Sequence, residues 1–288
     1  TFQRMLRPAA GALDASFEAG NNPAAGSIDD DSYHAVHDPL LPLAFVAAGT
    51  ERIRLGTATI CAPFTAPALL AKSMATLDLL SGGRASVGIG IGWLPQEYEA
   101  AGVPRERRGE RMEEYLRCLE ALWTQDPVEF RGEFYTVPPS HLGLTTVQRP
   151  HPPVLVGGFA PEALRRAGRL AQGWIASTRQ DLTRIRECVD TVRSGASDAG
   201  KDPDAVEILV RGVVDLRDAP VSGPREPLQG SRDQILDDLA GLRGAGVTEV
   251  FWDLNFSQRT VSRAVTAKEA VAYAEQVLDA FATASLAG

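Results

Sequence analysis

The chain has 288 residues, of which 44% are hydrophobic and 23% charged, a composition typical of one large globular domain or two small ones. Its formal net charge of −8 disfavours nucleic acid and anionic membranes as partners, because both repel an acidic surface. The three cysteines and four histidines show neither a disulfide framework nor a metal-ligand spacing, and no run of about 18 apolar residues occurs. We therefore expect a cytoplasmic enzyme without a bound metal.

Residues 1–51 fit poorly into the pattern that follows them. They contain one predicted helix, 8–19, and no convincing strand. Loop-forming residues begin at Asn21, where the end of the helix would lead into a strand. We predict that two strands are missing from the chain, one before Thr1 and one between Gly20 and Asn21. The alternative is that this part has diverged, which leaves the sheet incomplete or closed by a partner chain.

From residue 52 onward, predicted strands and helices alternate. Apolar residues at a period of two predict the strands, and helical spacing with Gly or Pro boundaries predicts the helices. Two capping boxes mark helix starts, Ser231 with Gln234 and Thr266 with Glu269. Residues 128–137 predict a small hairpin that turns at Arg131 and Gly132. The predicted strands are 52–60, 85–92, 154–157, 173–177, 206–214 and 248–254.

Repeated β/α units predict a parallel sheet with right-handed crossovers. The leading candidate is a closed (β/α)8 TIM barrel that forms a single domain over residues 1–288 and carries the hairpin as a small insertion. Its first two β/α units are poorly represented in residues 1–51. A doubly wound open sheet is the alternative, although no GxGxxG motif follows a first strand with an acidic residue about 20 positions later.

The strand at 85–92 has an unusual composition. Gly88, Gly90 and Gly92 alternate with apolar residues and so leave one face of the strand without side chains. Because glycine is a poor strand former, we expect either close approach of backbone or a flat ligand at this face, with tight packing against a neighbouring element as the alternative. The residues after the strand leave the sheet where parallel sheets place ligands.

Several motifs carry a family resemblance. Residues 51–57 (ERIRLGT), 71–84 (AKSMATLDLLSGGR), 87–93 (VGIGIGW) and 148–158 (QRPHPPVLVGG) are similar to the luciferase-like monooxygenase superfamily. The branch that they resemble most is that of the coenzyme F420-dependent oxidoreductases. The resemblance covers roughly residues 38–285, and it depends on the order and spacing of these motifs together.

The resemblance implies a TIM barrel that binds a flavin or deazaflavin at the carboxyl ends of its strands. It places a non-prolyl cis peptide behind the ring, at Ala58 and Thr59, where an ordinary strand end is the alternative. It also places the end of the glycine strand beside the ring, and Gln96 at the ring's carbonyl edge. The predicted ring contacts of that strand are Gly90, Ile91, Gly92 and Trp93. Trp93 stands where relatives carry a glutamate proton donor, so we expect stacking or substrate contact from it rather than acid catalysis, with core packing as the alternative.

The segment Gly157, Gly158 and Phe159 precedes a helix that begins at Pro161. Free N–H groups and the helix dipole make such a loop an anion site, with a simple tight turn as the alternative. The resemblance places the cofactor phosphate there, and Ser177 and Thr178 could add hydroxyl donors. Relatives also carry a second strand that ends in a catalytic aspartate or histidine, which we do not find, so we assign no catalytic residue.

Three functions follow from these patterns. The first is an F420-dependent oxidoreductase that transfers a hydride between the deazaflavin and a small organic substrate, and it suits a site with few titratable groups. The second is an FMNH2-dependent monooxygenase, with FMN as the alternative cofactor, and the third is a ligand-binding barrel without catalysis. Rim arginines (Arg105, Arg107, Arg108 and Arg179) would favour the polyglutamate tail of F420, with ordinary solvated surface as the alternative. We expect a homodimer.

Overall fold

The computed structural model describes residues 3, 5–6, 36–178 and 180–282. The predicted helix 8–19 and the predicted chain gap after Gly20 lie outside these residues. Helices and strands alternate through the described part. The helices are α1 Leu41–Gly49, α2 Pro67–Ser81, α3 Pro95–Ala100, α4 Arg108–Thr124, α5 Pro161–Leu170, α6 Ile185–Asp198, α7 Arg232–Gly244, α8 Gln258–Val261 and α9 Ala267–Phe281. The strands are β1 Leu55–Gly56, β2 Ile60–Cys61, β3 Ala85–Gly90, β4 Val128–Arg131, β5 Thr136–Ser140, β6 Val154–Gly157, β7 Gly173–Ala176, β8 Glu207–Gly212, β9 Asp215–Leu216, β10 Gln229–Gly230 and β11 Glu249–Trp252.

The main sheet is parallel, as the repeated β/α units predict. Its strand order is β1-β3-β6-β7-β8-β11, and β2 also pairs with β3. The prediction of a closed eight-stranded barrel is wrong for the described residues, because their sheet is a half-barrel with β1 and β11 at its open edges. Closure requires further strands from the first two β/α units, and the described residues 41–49 of that region form a helix instead.

The predicted strand 52–60 is divided into β1 and β2. The backbone leaves the ladder at residues 57–59, and the peptide bond between Ala58 and Thr59 is cis. The Thr57 hydroxyl replaces the lost ladder bonds, since its Oγ1 donates to Gly88 O at 2.9 Å and accepts from Gly88 N at 3.0 Å. One side chain therefore satisfies both backbone groups of a β3 residue where the strand is interrupted.

The outer face of the sheet packs against the helices to form the main core. Ile89 and Trp174 of the sheet have no exposed surface, and neither has Met74 of α2. The inner face carries a smaller apolar cluster of Ala58, Leu155 and Ile175. Because successive strand residues face opposite sides, each strand contributes to both layers. The inner face is thus left to line the interior of the half-barrel.

A short antiparallel pair rests on α4. β4 pairs with β5, with Phe130 opposite Val137. The Glu114 carboxylate of α4 accepts hydrogen bonds from the backbone N–H groups of residues 133–135, at 2.7–2.9 Å. The connection between the two strands is thereby fixed to the start of α4. That the pair is an insertion in the fold stays a prediction.

Buried tyrosines make the free energy of unfolding depend on pH in the alkaline range. Burial raises the pKa of Tyr98 and Tyr135 from 10 to about 12, and it raises the pKa of Tyr115 well above 10. The tyrosines of the unfolded chain lose their protons at a lower pH than those of the folded protein. The contribution of the buried tyrosines to folding stability is therefore complete below pH 10 and is lost as the pH rises towards 12. We expect the urea midpoint of unfolding to fall across this range, with tyrosinate absorbance of the folded protein delayed beyond pH 10. Tyrosinate formation with an ordinary pKa in the folded protein would contradict this.

Candidate active site at the mouth of the half-barrel

Thr59 joins the ends of two neighbouring strands. A Cβ on Gly90 would lie 2.9 Å from Thr59 Oγ1, and a Cβ on Gly157 would lie 3.1 Å from Thr59 Cγ2. The structure therefore brings together the predicted site residues of β2, β3 and β6. A Cβ on Gly88 would lie 2.0 Å from Thr57 O, so close backbone approach explains that glycine. A flat ring against Gly90 stays a prediction.

The chain beyond β3 turns sharply at Gly92, which has a φ of +71°. Tyr98 closes this turn, since its hydroxyl donates to Ile91 O and its ring meets Phe64 edge-to-face at 5.0 Å between centroids. Trp93 and Gln96 are half-buried, whereas Leu94 takes the core position. The structure thus places the predicted contacts of residues 91–96 at the carboxyl end of β3.

Glu97 is a buried acid that the sequence analysis missed. Its side chain is almost fully buried, and its Oε1 accepts from Met5 N at 2.5 Å and Leu6 N at 3.1 Å. The same terminal segment runs beside β2, where Gln3 N donates to Thr59 O at 3.0 Å. No local pattern could have found this contact, because its partners are more than 90 positions apart in the chain.

Two arginines of α4 place unsatisfied donors below the surface. Arg108 Nη1 and Arg111 Nε are buried and lack a hydrogen-bond partner among the described residues. The positive charge of Arg108 offsets part of the burial effect that raises the pKa of Tyr98 to about 12, which places this arginine near the end of β3. Buried guanidinium donors without acceptors are costly, and an anion such as phosphate satisfies them well. The arrangement therefore fits an anionic group at the mouth.

The other rim arginines are less suited to this role. Arg107 donates to the carboxylates of both Glu110 and Glu133, which neutralise it. Arg105 also has an interaction partner, and Arg179 lies outside the described residues. Arg108 is thus the one predicted rim arginine that retains an unsatisfied buried donor in the described part of the chain.

The predicted anion loop leads directly into α5. Pro161 is the first residue of the helix, and Phe159 in the loop is 46% exposed. The loop packs closely on the first turn, because a Cβ on Gly158 would lie 2.6 Å from Ala163 Cβ. Trp174 Nε1 donates to Gly158 O at 2.8 Å and fixes the peptide. The geometry keeps the N-terminal end of α5 near the Gly157 end of β6, as an anion site requires.

Substitution of Gly158 tests this loop. We expect Gly158→Asp to abolish cofactor binding, because its carboxylate would repel a phosphate and oppose the helix dipole. Gly158→Ala is the matched control, since it adds the contact with Ala163 without the charge, and it should weaken binding only partly. Cofactor titration monitored by fluorescence measures both, with circular dichroism as the check on folding. Normal binding by the aspartate variant would place the phosphate elsewhere.

A polar cluster joins the ends of β7, β8 and β11. Asp253 Oδ2 accepts from Thr178 Oγ1 at 2.6 Å and from Arg211 Nε and Nη2 at 2.9 and 2.5 Å. The Thr178 hydroxyl hydrogen, predicted to serve the cofactor, is therefore directed to Asp253, and Ser177 beside it is half-buried. Arg211 and Asp253 were not predicted from the sequence, although they lie at the carboxyl ends of β8 and β11, where ligands bind.

No group of three or more His, Cys, Asp or Glu side chains in the described part of the chain could hold a metal ion. None of the described helices has the length and apolarity that a membrane span requires.

The chain belongs to the luciferase-like monooxygenase family, whose model matches residues 17–220. An uncharacterized protein of Mycobacterium tuberculosis is 41% identical over 218 residues, which cover 74% of this chain and 76% of that protein. The FMNH(2)-dependent dimethylsulfone monooxygenase of Pseudomonas putida is 36% identical over 174 residues, which cover 59% of this chain and 47% of that enzyme. The family consists of oxidoreductases and monooxygenases, so the chain is an enzyme of this type.

Solved structures with a similar fold include a monooxygenase and a coenzyme F420-dependent reductase. The monooxygenase RslO1 from Streptomyces bottropensis superposes with a TM-score of 0.70 at 26% identity and covers 85% of this chain and 83% of its own. The coenzyme F420-dependent tetrahydromethanopterin reductase from Methanopyrus kandleri has a TM-score of 0.69 at 18% identity, with 87% of each chain covered. At 18% identity, the similarity to this reductase shows a shared fold and no more.

Proposed function

We propose that this enzyme is an F420-dependent oxidoreductase that transfers a hydride between the deazaflavin and a small organic substrate. The pair of buried, unsatisfied donors on Arg108 and Arg111 at the mouth supports an anionic cofactor, and the resemblance of residues 87–93 to the F420-dependent branch favours F420 over FMN. The two guanidinium donors fit an anionic group of the cofactor, either its phosphate or a carboxylate of the F420 tail, because a guanidinium forms charge-assisted hydrogen bonds with such groups.

The surroundings of β3 suit a reaction that needs positioning more than acid–base catalysis. F420 supplies the hydride chemistry when it is bound. Gly90, Gly157 and Thr59 offer a wall of backbone and one small side chain, and half-buried Trp93 limits access of water beside it. Tyr98, whose pKa burial raises to about 12, remains protonated near neutral pH and donates to Ile91 O. These groups orient a ring and a substrate without exchanging protons.

A second candidate function is an FMNH2-dependent monooxygenase. The relative from Pseudomonas putida favours it, because that monooxygenase is FMNH(2)-dependent. The arginine pair suits an anionic group of either cofactor and does not distinguish the two. The predicted homodimer and cytoplasmic location stay predictions for both candidates.

The native cofactor identifies the reaction class most simply. The protein is expressed in a host that makes both F420 and FMN, purified without added cofactor, and analysed by mass spectrometry after denaturation. We expect F420 in the released fraction. Release of FMN alone would favour the monooxygenase, and release of neither cofactor would contradict tight binding of F420.

A further inference from the structure

Asp253 leaves half of its carboxylate unsatisfied. The residue has no exposed surface, and its Oδ2 takes all three donors of the cluster. Its Oδ1 is buried and has no hydrogen-bond partner among the described residues. An unsatisfied buried carboxylate oxygen is costly, so a donor from outside the described chain is expected there.

The strand register directs the Asp253 side chain towards the interior of the half-barrel. Phe251 and Leu209 face the interior, where they line a cavity of about 110 Å³ towards the amino ends of the strands. Asp253 lies two residues further along and so shares the side of Phe251, whereas Trp252 packs in the other direction against Phe281. Arg211 lies opposite Phe251 in the β8–β11 pairing. The cluster of Thr178, Arg211 and Asp253 therefore lies on the inner face of the sheet, beside the edge formed by β11 and away from the edge formed by β1.

The charges around Asp253 restrict which donor fits. The Arg211 guanidinium already neutralises the carboxylate, with a side chain only 13% exposed. An ammonium group at Oδ1 would place a second cation beside Arg211, and an anion would meet an acceptor rather than a donor. A neutral donor, an O–H or an uncharged N–H, satisfies Oδ1 without either penalty.

We propose that Asp253, held in place by Arg211 and Thr178, anchors the substrate and selects small organic molecules that carry a neutral hydrogen-bond donor such as a hydroxyl group. The O–H of the substrate donates to Asp253 Oδ1. Ethers and other molecules that only accept hydrogen bonds leave this oxygen unsatisfied. The assignment rests on the proposed function in one respect, namely that the anchored molecule is the substrate of an oxidoreductase of this family.

Matched pairs of alcohols and their methyl ethers test the anchor. The probes are cyclohexanol, benzyl alcohol and 2-butanol, each compared with its methyl ether by ligand-observed NMR titration of the cofactor-free and the F420-loaded protein. We expect each alcohol to bind about tenfold more tightly than its ether, which corresponds to one hydrogen bond to a charged group. A methyl ether keeps the acceptor oxygen and loses only the donor.

Asp253→Asn is expected to remove or reverse the preference for alcohols over ethers. A purely structural role of Asp253 would not change this preference. Its amide oxygen would take the donors of Arg211 and Thr178, so its NH2 group would stand where Oδ1 stood. We expect the preference for alcohols to disappear and the ethers to bind at least as tightly as the alcohols. Asp218→Asn makes the same chemical change at an exposed position and should keep the wild-type preference.

Two outcomes would overturn the anchor. One is equal affinity for both members of each pair in the wild-type protein, including no binding of either, which would leave a buried water as the partner of Oδ1. The other is an unchanged preference in a folded Asp253→Asn variant. Failure of F420 to bind would contradict the proposed function instead, because the cofactor-free titration tests the anchor independently.

Discussion

Gly88→Ala is expected to lower the free energy of unfolding by about 3 kcal/mol, the upper part of the range for overpacked cores. A Cβ at this position would lie 2.0 Å from Thr57 O and 2.4 Å from Ile175 Cδ1. The backbone at Thr57 cannot retreat easily, since its hydroxyl bonds both backbone groups of Gly88. Urea unfolding followed by circular dichroism measures the loss.

Gly241→Ala is the control for this substitution. Gly241 lies in α7, and a Cβ there would meet nothing within 4 Å. Alanine should therefore stabilise the helix by roughly 0.5–1 kcal/mol, because it is the better helix former. A Gly88→Ala variant as stable as the wild type would mean that residues 57–59 do not pack against β3 as described.

Arg108→Ala and Arg111→Ala are each expected to weaken cofactor binding by roughly 10- to 100-fold. Each removes a guanidinium with an unsatisfied buried donor, and a hydrogen bond to a charged group contributes about 1.5–3 kcal/mol. Arg111 also stands 4.6 Å from the centre of the Phe134 ring, so its loss should loosen residues 133–135. Fluorescence titration with the cofactor gives the affinity, and thermal unfolding reports the structural part.

Arg117→Ala is the matched control on the same helix. Arg117 is 56% exposed and forms only a surface ion pair with Glu113, at 3.7 Å. Such pairs contribute little, so both affinity and stability should change only slightly. Unchanged cofactor affinity in both the Arg108 and the Arg111 variant would contradict the assignment of this site to an anionic cofactor.

Local signals predicted the elements of the second half of the chain well. The capping boxes at Ser231 and Thr266 are present as predicted, because each depends on residues three positions apart. The strand at 154–157 is also confirmed, since its apolar run is bounded by Pro and Gly. The family resemblance predicted the cis bond at Ala58, which no propensity indicates.

Contacts between distant parts of the chain explain most of what was missed. Thr178, Arg211 and Asp253 meet only because β7, β8 and β11 end at one edge. Asp253 is 75 positions from Thr178 and 42 positions from Arg211 in the chain. The sequence does not show that Glu110 and Glu133 neutralise Arg107, whereas Arg108 retains an unsatisfied donor. The closed barrel was predicted from the repeat of β/α units, and repetition alone does not supply the strands that join the edges.

Equilibrium titration with F420 and with FMN, each followed by fluorescence under identical conditions, tests the central claim most directly. The proposed function predicts saturable, tight binding of F420 and weak or no binding of FMN by the wild-type protein. Tight binding of FMN without binding of F420 would contradict it and would assign the arginine pair on α4 to a flavin monooxygenase.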